Sequence, residues 1–270
     1  MLKTRITTGV WLFIAVCLML VVSHISWILN LSIAFLCLFS IWEMLLALKS
    51  KSRTIPLVLG AVLLGVLLTV PGDLYQWILL VLFITMVVFF ALLMRGVGRI
   101  EDLKQSEKYL IFVSIPVFFS AIRYIRVEPD GLLQLTVAIL VCTITDSFAY
   151  LVGRKFGKRK LAPRISPSKT IEGCIGGTVS AAVFLLLAAA GLSFGGLVEV
   201  NFLRLTVYLI TASFVGQFGD LCMSSVKRIE GIKDYSSLLP GHGGVLDRFD
   251  SQLFVLPYTF LFCAFFGRIF

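Results

Sequence analysis

Residues 74–94 read LYQWILLVLFITMVVFFALLM, a run that contains no charged side chain. An α-helix needs about 20 mostly apolar residues to cross the hydrocarbon core of a bilayer, so this run predicts a transmembrane helix. Similar runs recur along the 270 residues, of which 59% are hydrophobic and only 14% are charged. Soluble domains have about 45–50% apolar and about 25% charged residues, and a soluble core of this size cannot bury so much apolar surface. The composition therefore excludes soluble globular, disordered and fibrous proteins and predicts an all-α, polytopic integral membrane protein.

Apolar segments along the chain predict about nine transmembrane helices. The predicted spans are residues 8–22, 27–48, 55–70, 74–94, 109–125, 132–152, 171–192, 202–222 and 252–267. We interpret residues 1–130 as an N-terminal scaffold of helices. Residues 131–270 are interpreted as helices that carry the catalytic loops, within one continuous membrane domain.

The distribution of lysine and arginine predicts how the chain is oriented in the membrane. If the N-terminus is cytoplasmic, all but four of the 24 basic residues fall on the cytoplasmic side, and the exceptions are Arg123, Arg126, Arg204 and Arg268. The positive-inside rule describes this asymmetry, so we expect a cytoplasmic N-terminus and an external C-terminus in the cell (inner) membrane. Basic residues that set the membrane topology and attract anionic lipid account for the net charge of +9, so no nucleic-acid partner is expected.

Four acidic residues lie within or at the edge of apolar segments, namely Glu43, Asp146, Glu172 and Asp220. An ionisable group in such a place is costly and is a functional candidate by default. The last three lie near the predicted cytoplasmic ends of their spans and could converge on one pocket. For Glu43, two interpretations stay open: a residue at a helix end near Lys49, or a functional group.

The connection over residues 155–170 is the first candidate binding segment. Its second part combines Ser166, Lys169 and Thr170 with the start of a following helix, which favours a phosphate cradle. Its first part, residues 155–160, is rich in lysine and arginine and favours a topology anchor that holds anionic lipid. The alternative assignment of each part stays open.

The second candidate segment covers residues 224–251 and is richer in charged groups. Gly241, Gly243 and Gly244 allow backbone N–H groups to point at an anion. Asp247 opens the ninth span and Asp220 closes the eighth, so a loop that folds back would bring both carboxylates to the membrane surface. The segment combines carboxylates with lysines, arginines and backbone N–H groups spaced to enclose a phosphate. This combination suggests a Mg²⁺ ion that is bound jointly by the acids and by substrate phosphates.

This segment carries a resemblance to a known family. Residues 224–250 read SSVKRIEGIKDYSSLLPGHGGVLDRFD. The run resembles the signature of the phosphatidate cytidylyltransferase (CDP-diacylglycerol synthase) family. That signature has a serine two positions before a hydrophobic-Lys-Arg triplet, then Lys-Asp, and then His-Gly-Gly-hydrophobic-x-Asp-Arg-hydrophobic-Asp. The upstream runs DSFAYLVGR at 146–154 and SPSKTIEG at 166–173 also resemble the family.

The resemblance implies an enzyme that joins CTP and phosphatidic acid to CDP-diacylglycerol and pyrophosphate at the cytoplasmic membrane surface, with Mg²⁺ and with or without a second cation. The expected catalytic residues are Asp220, Asp247, Lys227, Arg228 and Asp250. Of these, Asp220 and Asp247 are the expected metal ligands. The expected substrate-binding residues are Ser166, Lys169, Thr170, Lys233, Asp234, His242, Gly243, Gly244, Arg248, Asp146 and Glu172.

Three alternative functions share some of these sequence features. A related nucleotide-dependent lipid kinase would share much of the same chemistry. A secondary transporter would place acids near the membrane midplane and show two related halves, whereas the acids here cluster towards one face. A lipid-binding scaffold would require no metal, so it would not need these carboxylates. Small-residue helices suggest a homodimer as the oligomeric state.

Overall fold

The computed structural model describes residues 2–49, 54–97, 103, 105–240 and 243–270. Within these ranges the chain forms nine α-helices and a two-stranded antiparallel sheet. In chain order the elements are α1 (Leu2–Val22), α2 (Ser26–Ala47), α3 (Thr54–Leu67), α4 (Gly72–Gly96), α5 (Gln105–Val127), α6 (Gly131–Phe156), β1 (Lys160–Ala162), β2 (Ser166–Thr170), α7 (Ile171–Phe194), α8 (Phe202–Ile229) and α9 (Leu246–Phe266). Over the described residues the fold is all-α apart from this short hairpin.

The nine described helices overlap the nine predicted segments, but they differ in length. Seven of them are long and apolar enough to cross a membrane. α3 has only 14 residues, and the apolar part of α1 is short as well. This arrangement is that of a polytopic helical membrane protein. The count of nine crossings and the sides on which the termini lie stay predictions.

The surface of α4 shows how the helices divide between lipid and core. Its exposed side chains recur every three or four residues, at Trp77, Val81, Ile84, Val88 and Leu92. An apolar stripe at helical spacing on the outside of a bundle is what lipid contact requires. On the inner side, Phe254 of α9 packs against Phe118 of α5 and Phe90 of α4, with ring centroids 5.0 and 5.4 Å apart. Helices α5 and α9 therefore form the centre of the bundle.

Helices α6 and α7 approach each other closely because α7 begins with glycines. A Cβ atom on Gly173 would lie 2.6 Å from the Ala149 carbonyl oxygen, and one on Gly177 would lie 2.5 Å from that of Thr145. Small residues at such positions let backbones meet in the absence of a hydrophobic driving force. The close contact fixes the start of α7, and with it the hairpin, against α6.

Gly177→Ala should destabilise the protein by about 1–3 kcal/mol, because the added methyl must push α7 away from α6. Gly191→Ala in the same helix is the matched control, since a Cβ there meets nothing within 4 Å. The control should be neutral or stabilising by about 0.5–1 kcal/mol. Thermal unfolding in detergent measures both variants, and equal melting temperatures would contradict the packing described.

The hairpin differs from the connection that the sequence predicts over residues 155–170. Strands β1 and β2 pair with Ala162 opposite Ser166. The carboxylate of Glu172 accepts hydrogen bonds from the backbone N–H groups of Lys158 and Arg159 at 3.0 and 3.1 Å and closes the base of the hairpin. A side chain that satisfies backbone donors across 13 or 14 residues leaves no local pattern in the sequence.

α9 also begins earlier than its apolar content predicted, at Leu246 rather than at residue 252. The first turn contains Asp247, and Asp250 follows directly after it. Hydropathy alone assigns both charged residues to a loop. These polar groups face the interior of the protein instead of lipid, so the helix starts within the charged segment.

Candidate active site

Four elements bring charged groups together at one end of the bundle. Lys169 at the end of β2 forms an ion pair with Asp220 of α8. Asp146 of α6 accepts a hydrogen bond from the hydroxyl of Ser251 in α9 at 3.3 Å. The carboxylates of Asp146, Asp220 and Asp250 lie within electrostatic range of one another and of Lys169. Three carboxylates therefore surround the ammonium group of Lys169.

The ammonium group of Lys169 is held in its charged form by this cluster. Burial by itself would lower the pKa of Lys169, but the carboxylate of Asp220, with Asp146 and Asp250 behind it, keeps that pKa above its ordinary value. Opposite charges at short range favour the charged form of each partner. Lys169 is therefore a permanent cation at physiological pH.

A second ion pair lies deeper, between the end of α8 and the start of α9. The Nζ atom of Lys227 donates to Oδ1 of Asp247 at 2.8 Å, and the two side chains are only 9% and 2% exposed. The other carboxylate oxygen, Oδ2, accepts from the backbone N–H groups of Tyr235 and Gly244, each at 2.9 Å. Asp247 thus binds a cation with one oxygen and organises the preceding loop with the other.

The glycines near Asp247 are required by this geometry. Gly243 has a φ of +78°, in the left-handed region that glycine adopts at little cost, and a Cβ there would lie 2.9 Å from Oδ2 of Asp247. Gly244 donates its N–H to that same oxygen. In this structure the N–H of Gly244 therefore points at a carboxylate of the protein.

Three further residues belong to the site although the sequence reasoning did not assign them a role. Ser224 donates to Oδ1 of Asp220 at 3.2 Å. The Tyr235 ring lies 5.2 Å from the Nζ atom of Lys227, and its hydroxyl donates to the Met223 carbonyl at 2.9 Å. Burial raises the pKa of Tyr235 well above its ordinary value, so the phenol stays protonated. Glu43 of α2 is the third residue, and its carboxylate accepts hydrogen bonds from the segment that precedes α9.

Some predicted site residues lie apart from the carboxylate cluster. Glu172 closes the hairpin, and Thr170 accepts from the N–H of Gly173 at 3.1 Å as the N-cap of α7. The guanidinium of Arg228 donates to the carbonyl groups of Ile165 and Ile232, at 3.0 and 3.1 Å. In this structure these residues hold the hairpin and the loop in place around the site.

The remaining predicted residues lie at the edge of the site. Lys233, Asp234 and Arg248 are exposed, and Ser166 is partly exposed on β2. His242 lies outside the described residues. Exposed cations beside the cluster are available to soluble anionic ligands, so they stay candidates for substrate binding.

An open cleft of about 840 Å³ runs from the charged cluster into the bundle between α1, α2, α6 and α9. Most of its wall is apolar, and the apolar part includes Met19 of α1 and Leu31 and Phe35 of α2. Its polar end contains Asp146, Arg248, Asp250 and Ser251. The site therefore joins an apolar groove to a charged pocket, as a ligand with apolar chains and an ionic head would require.

The donor set is consistent with a divalent cation that is bound together with substrate phosphate. Among the described residues, no three Asp, Glu, His or Cys side chains are grouped closely enough to hold a metal by themselves. Mg²⁺ is usually bound by one or two carboxylates together with waters and substrate phosphates, so a full protein cage is not needed. Asp220 and Asp247 each hold a lysine ammonium here, which places both carboxylates where a cation is accepted.

Comparison with known proteins identifies the class to which this membrane fold and charged site belong. Residues 3–266 match the model of the cytidylyltransferase family. The match covers nearly the whole chain, and the chain belongs to this family. The family resemblance of residues 224–250 is thereby confirmed.

Curated relatives define the particular kind of cytidylyltransferase that this chain resembles. It is 33% identical over 278 residues to the phosphatidate cytidylyltransferase of Bacillus subtilis (strain 168), covering 98% of this chain and 99% of that protein. The phosphatidate cytidylyltransferase of Staphylococcus epidermidis (strain ATCC 12228) is 33% identical over 236 residues, which are 85% of this chain and 87% of that protein. That of Staphylococcus haemolyticus is 47% identical over 128 residues, about half of each chain.

Proposed function

We propose that this protein condenses CTP with phosphatidic acid to give CDP-diacylglycerol and pyrophosphate. The observation that carries the proposal is the cleft, which joins an apolar groove to a polar end with the carboxylates of Asp146 and Asp250 and the guanidinium of Arg248. One substrate of this reaction is a lipid and the other is a soluble nucleotide, so the site must be open to both phases. The full-length similarity to the Bacillus subtilis phosphatidate cytidylyltransferase supports the same reaction.

The groove and the pocket suggest how the lipid is oriented. The acyl chains of phosphatidic acid would lie along the apolar wall from α1 and α2, and the phosphate would lie near Arg248 at the polar end. A guanidinium suits a phosphate because its N–H groups form paired, charge-assisted hydrogen bonds. CTP would approach from the aqueous side, where Lys233 is exposed.

The chemical step is an in-line nucleotidyl transfer. A phosphate oxygen of phosphatidic acid attacks the α-phosphorus of CTP and forms a P–O bond. The bond between that phosphorus and the oxygen bridging to the β-phosphate breaks, and pyrophosphate leaves with the electron pair. The nucleophile is already an anion, so the residues must mainly position two anionic substrates and neutralise their charge.

Different charged residues would position the substrates and neutralise their charge. Lys169, Lys227, Arg228 and Arg248 would neutralise phosphate oxygens, while Asp146 and Asp250 orient the cationic groups. Asp220 and Asp247 would hold Mg²⁺, which supplies charge neutralisation on the triphosphate when bound. The ammonium groups that these two carboxylates hold in this structure would then be free to contact phosphate.

The asymmetry of basic residues supports a cytoplasmic location for this site, with a cytoplasmic N-terminus and an external C-terminus in the cell membrane. CTP would then reach the site from the cytoplasm. The homodimer and the division at residue 130 stay predictions.

Pyrophosphate release by the purified protein tests the proposed reaction. In detergent, release should require CTP, phosphatidic acid and Mg²⁺ together, and CDP-diacylglycerol should appear in the lipid phase. A chelator should abolish release and excess Mg²⁺ should restore it. Release of CDP with a phosphorylated lipid would indicate the lipid kinase instead. No consumption of CTP by folded protein would overturn the proposal.

A further inference from the structure

Glu43 of α2 is a fully buried carboxylate that contacts the loop before α9. Its Oε1 atom accepts from the hydroxyl of Ser236 at 2.6 Å and from the N–H of Val245 at 3.0 Å. Its Oε2 atom accepts from the N–H of Leu246 at 2.7 Å. A buried charge is costly unless it is hydrogen-bonded, and here both oxygens have donors. These donors lie about 200 residues away in the sequence.

The contact supplies α9 with a cap from another helix. The first N–H groups of an α-helix have no partner within the helix, and a negative charge at this end is favourable. Val245, at the N-cap position of α9, makes no side-chain capping hydrogen bond. Glu43 therefore fills the role that a local Ser, Thr, Asn or Asp usually fills.

The same contact confines Gly244 between two carboxylates. Its N–H donates to Oδ2 of Asp247, and a Cβ on Gly244 would lie 2.7 Å from both oxygens of Glu43. Among the described residues no other group is as close to that position, and Gly244 is not in the left-handed region. The need for glycine at 244 thus comes from Glu43.

We propose that Glu43 is a positioning residue for the transfer reaction. It fixes the start of α9 and the segment around Ser236, and through them holds Asp247 and Gly244 in the geometry that the substrates require. This role rests on the proposed function, because it concerns the same site. Helix α2 would then contribute a positioning carboxylate to the active site in addition to part of the apolar wall of the cleft.

Glu43→Gln tests the role with little change in shape. The carboxamide presents an NH₂ group to at least one of the backbone N–H groups, so one capping hydrogen bond is lost. The exchange of the Val245 and Leu246 amides with deuterium should become about tenfold faster or more. With saturating substrates, kcat should fall about 10–100-fold, because a misplaced site affects the transition state more than binding.

Tyr124→Phe is the control for a loss of stability far from the site. The Tyr124 hydroxyl lies 2.5 and 2.6 Å from the carbonyl oxygens of Leu67 and Val70, at the other end of the bundle. This variant should melt at a lower temperature than the wild type while the exchange at 245–246 and kcat stay unchanged.

A double-mutant cycle gives a second readout that does not depend on activity. Gly244→Ala should lower the melting temperature in the wild-type background, because its methyl collides with the Glu43 carboxylate. In a Glu43→Ala background the same change should have little further effect, since the colliding atoms are gone. Additive effects would show that Glu43 is not what restricts position 244.

The outcomes separate this inference from the proposed reaction. Faster exchange with unchanged kcat in Glu43→Gln would show that the contact only stabilises the fold and would overturn the positioning role. Unchanged exchange would overturn the contact itself. If the wild type transfers no cytidylyl group, the proposed function fails, while the exchange experiment still reports whether Glu43 holds the start of α9.

Discussion

Asp220→Asn should lower the rate of CDP-diacylglycerol formation by about a thousandfold or more, a loss typical of a residue that acts on the reacting groups. Asp220 lies at the centre of the charged cluster, between Lys169 and Ser224. The amide keeps the shape of the carboxylate but loses the charge that would bind Mg²⁺ and balance Lys169. Turnover should therefore be lost even with Mg²⁺ in excess.

The stability of the same variant should change little. The side chains of Lys169 and Asp220 are 24% and 20% exposed, so water compensates part of the lost ion pair. We expect a cost of about 1 kcal/mol, or about 2–4 °C in melting temperature. Asp73→Asn, at the exposed start of α4 at the other end of the bundle, is the matched control and should keep full activity. A folded Asp220→Asn variant with normal turnover would remove Asp220 from the mechanism.

Asp247→Asn should differ from Asp220→Asn because it removes both activity and stability. The amide oxygen can still accept from the N–H groups of Tyr235 and Gly244, but its NH₂ group then faces the ammonium of Lys227. That ammonium is buried and would lose its only short-range carboxylate among the described residues. Breaking a buried pair in this way costs about 3–5 kcal/mol. Thermal unfolding and the pyrophosphate assay measure the two losses separately.

A second substitution distinguishes the structural part of this effect from the chemical part. Lys227→Met combined with Asp247→Asn removes the buried charge and the conflict, so the double variant should melt at a higher temperature than Asp247→Asn alone. It should remain inactive, since both the carboxylate and the ammonium are absent. Turnover in the double variant, or a normal melting temperature for Asp247→Asn, would contradict the paired role described here.

The local sequence predicted the helices well because each helix is set by a continuous apolar run. The described helices overlap all nine predicted segments. The main differences occur where polar residues turn inward. α9 includes Asp247 and Asp250 in its first turns, and residues 160–170 form a hairpin that has no apolar signal of its own. Hydropathy records how apolar a segment is, but not whether its polar groups find partners inside the protein.

The types of residue at the candidate site were also readable from the sequence, but their partners were not. Asp146 and Asp220 lie within electrostatic range of each other, as the position of both acids near the ends of their spans suggested, and Lys169 and Asp250 lie beside them. Glu172 belonged to the same expectation, yet the structure places it at the base of the hairpin. The position of a residue near the end of a span does not determine the direction of its side chain.

The sequence by itself determined the class of the protein, since an apolar content of 59% and the 224–250 signature leave little choice of environment or family. Only the tertiary structure decided which charges are paired. Lys227 with Asp247 spans 20 residues, and Glu43 with Leu246 spans 203. Helix formation and membrane insertion depend on neighbouring residues, whereas these contacts depend on how whole helices pack. The role of Glu43 is for that reason visible only in the folded molecule.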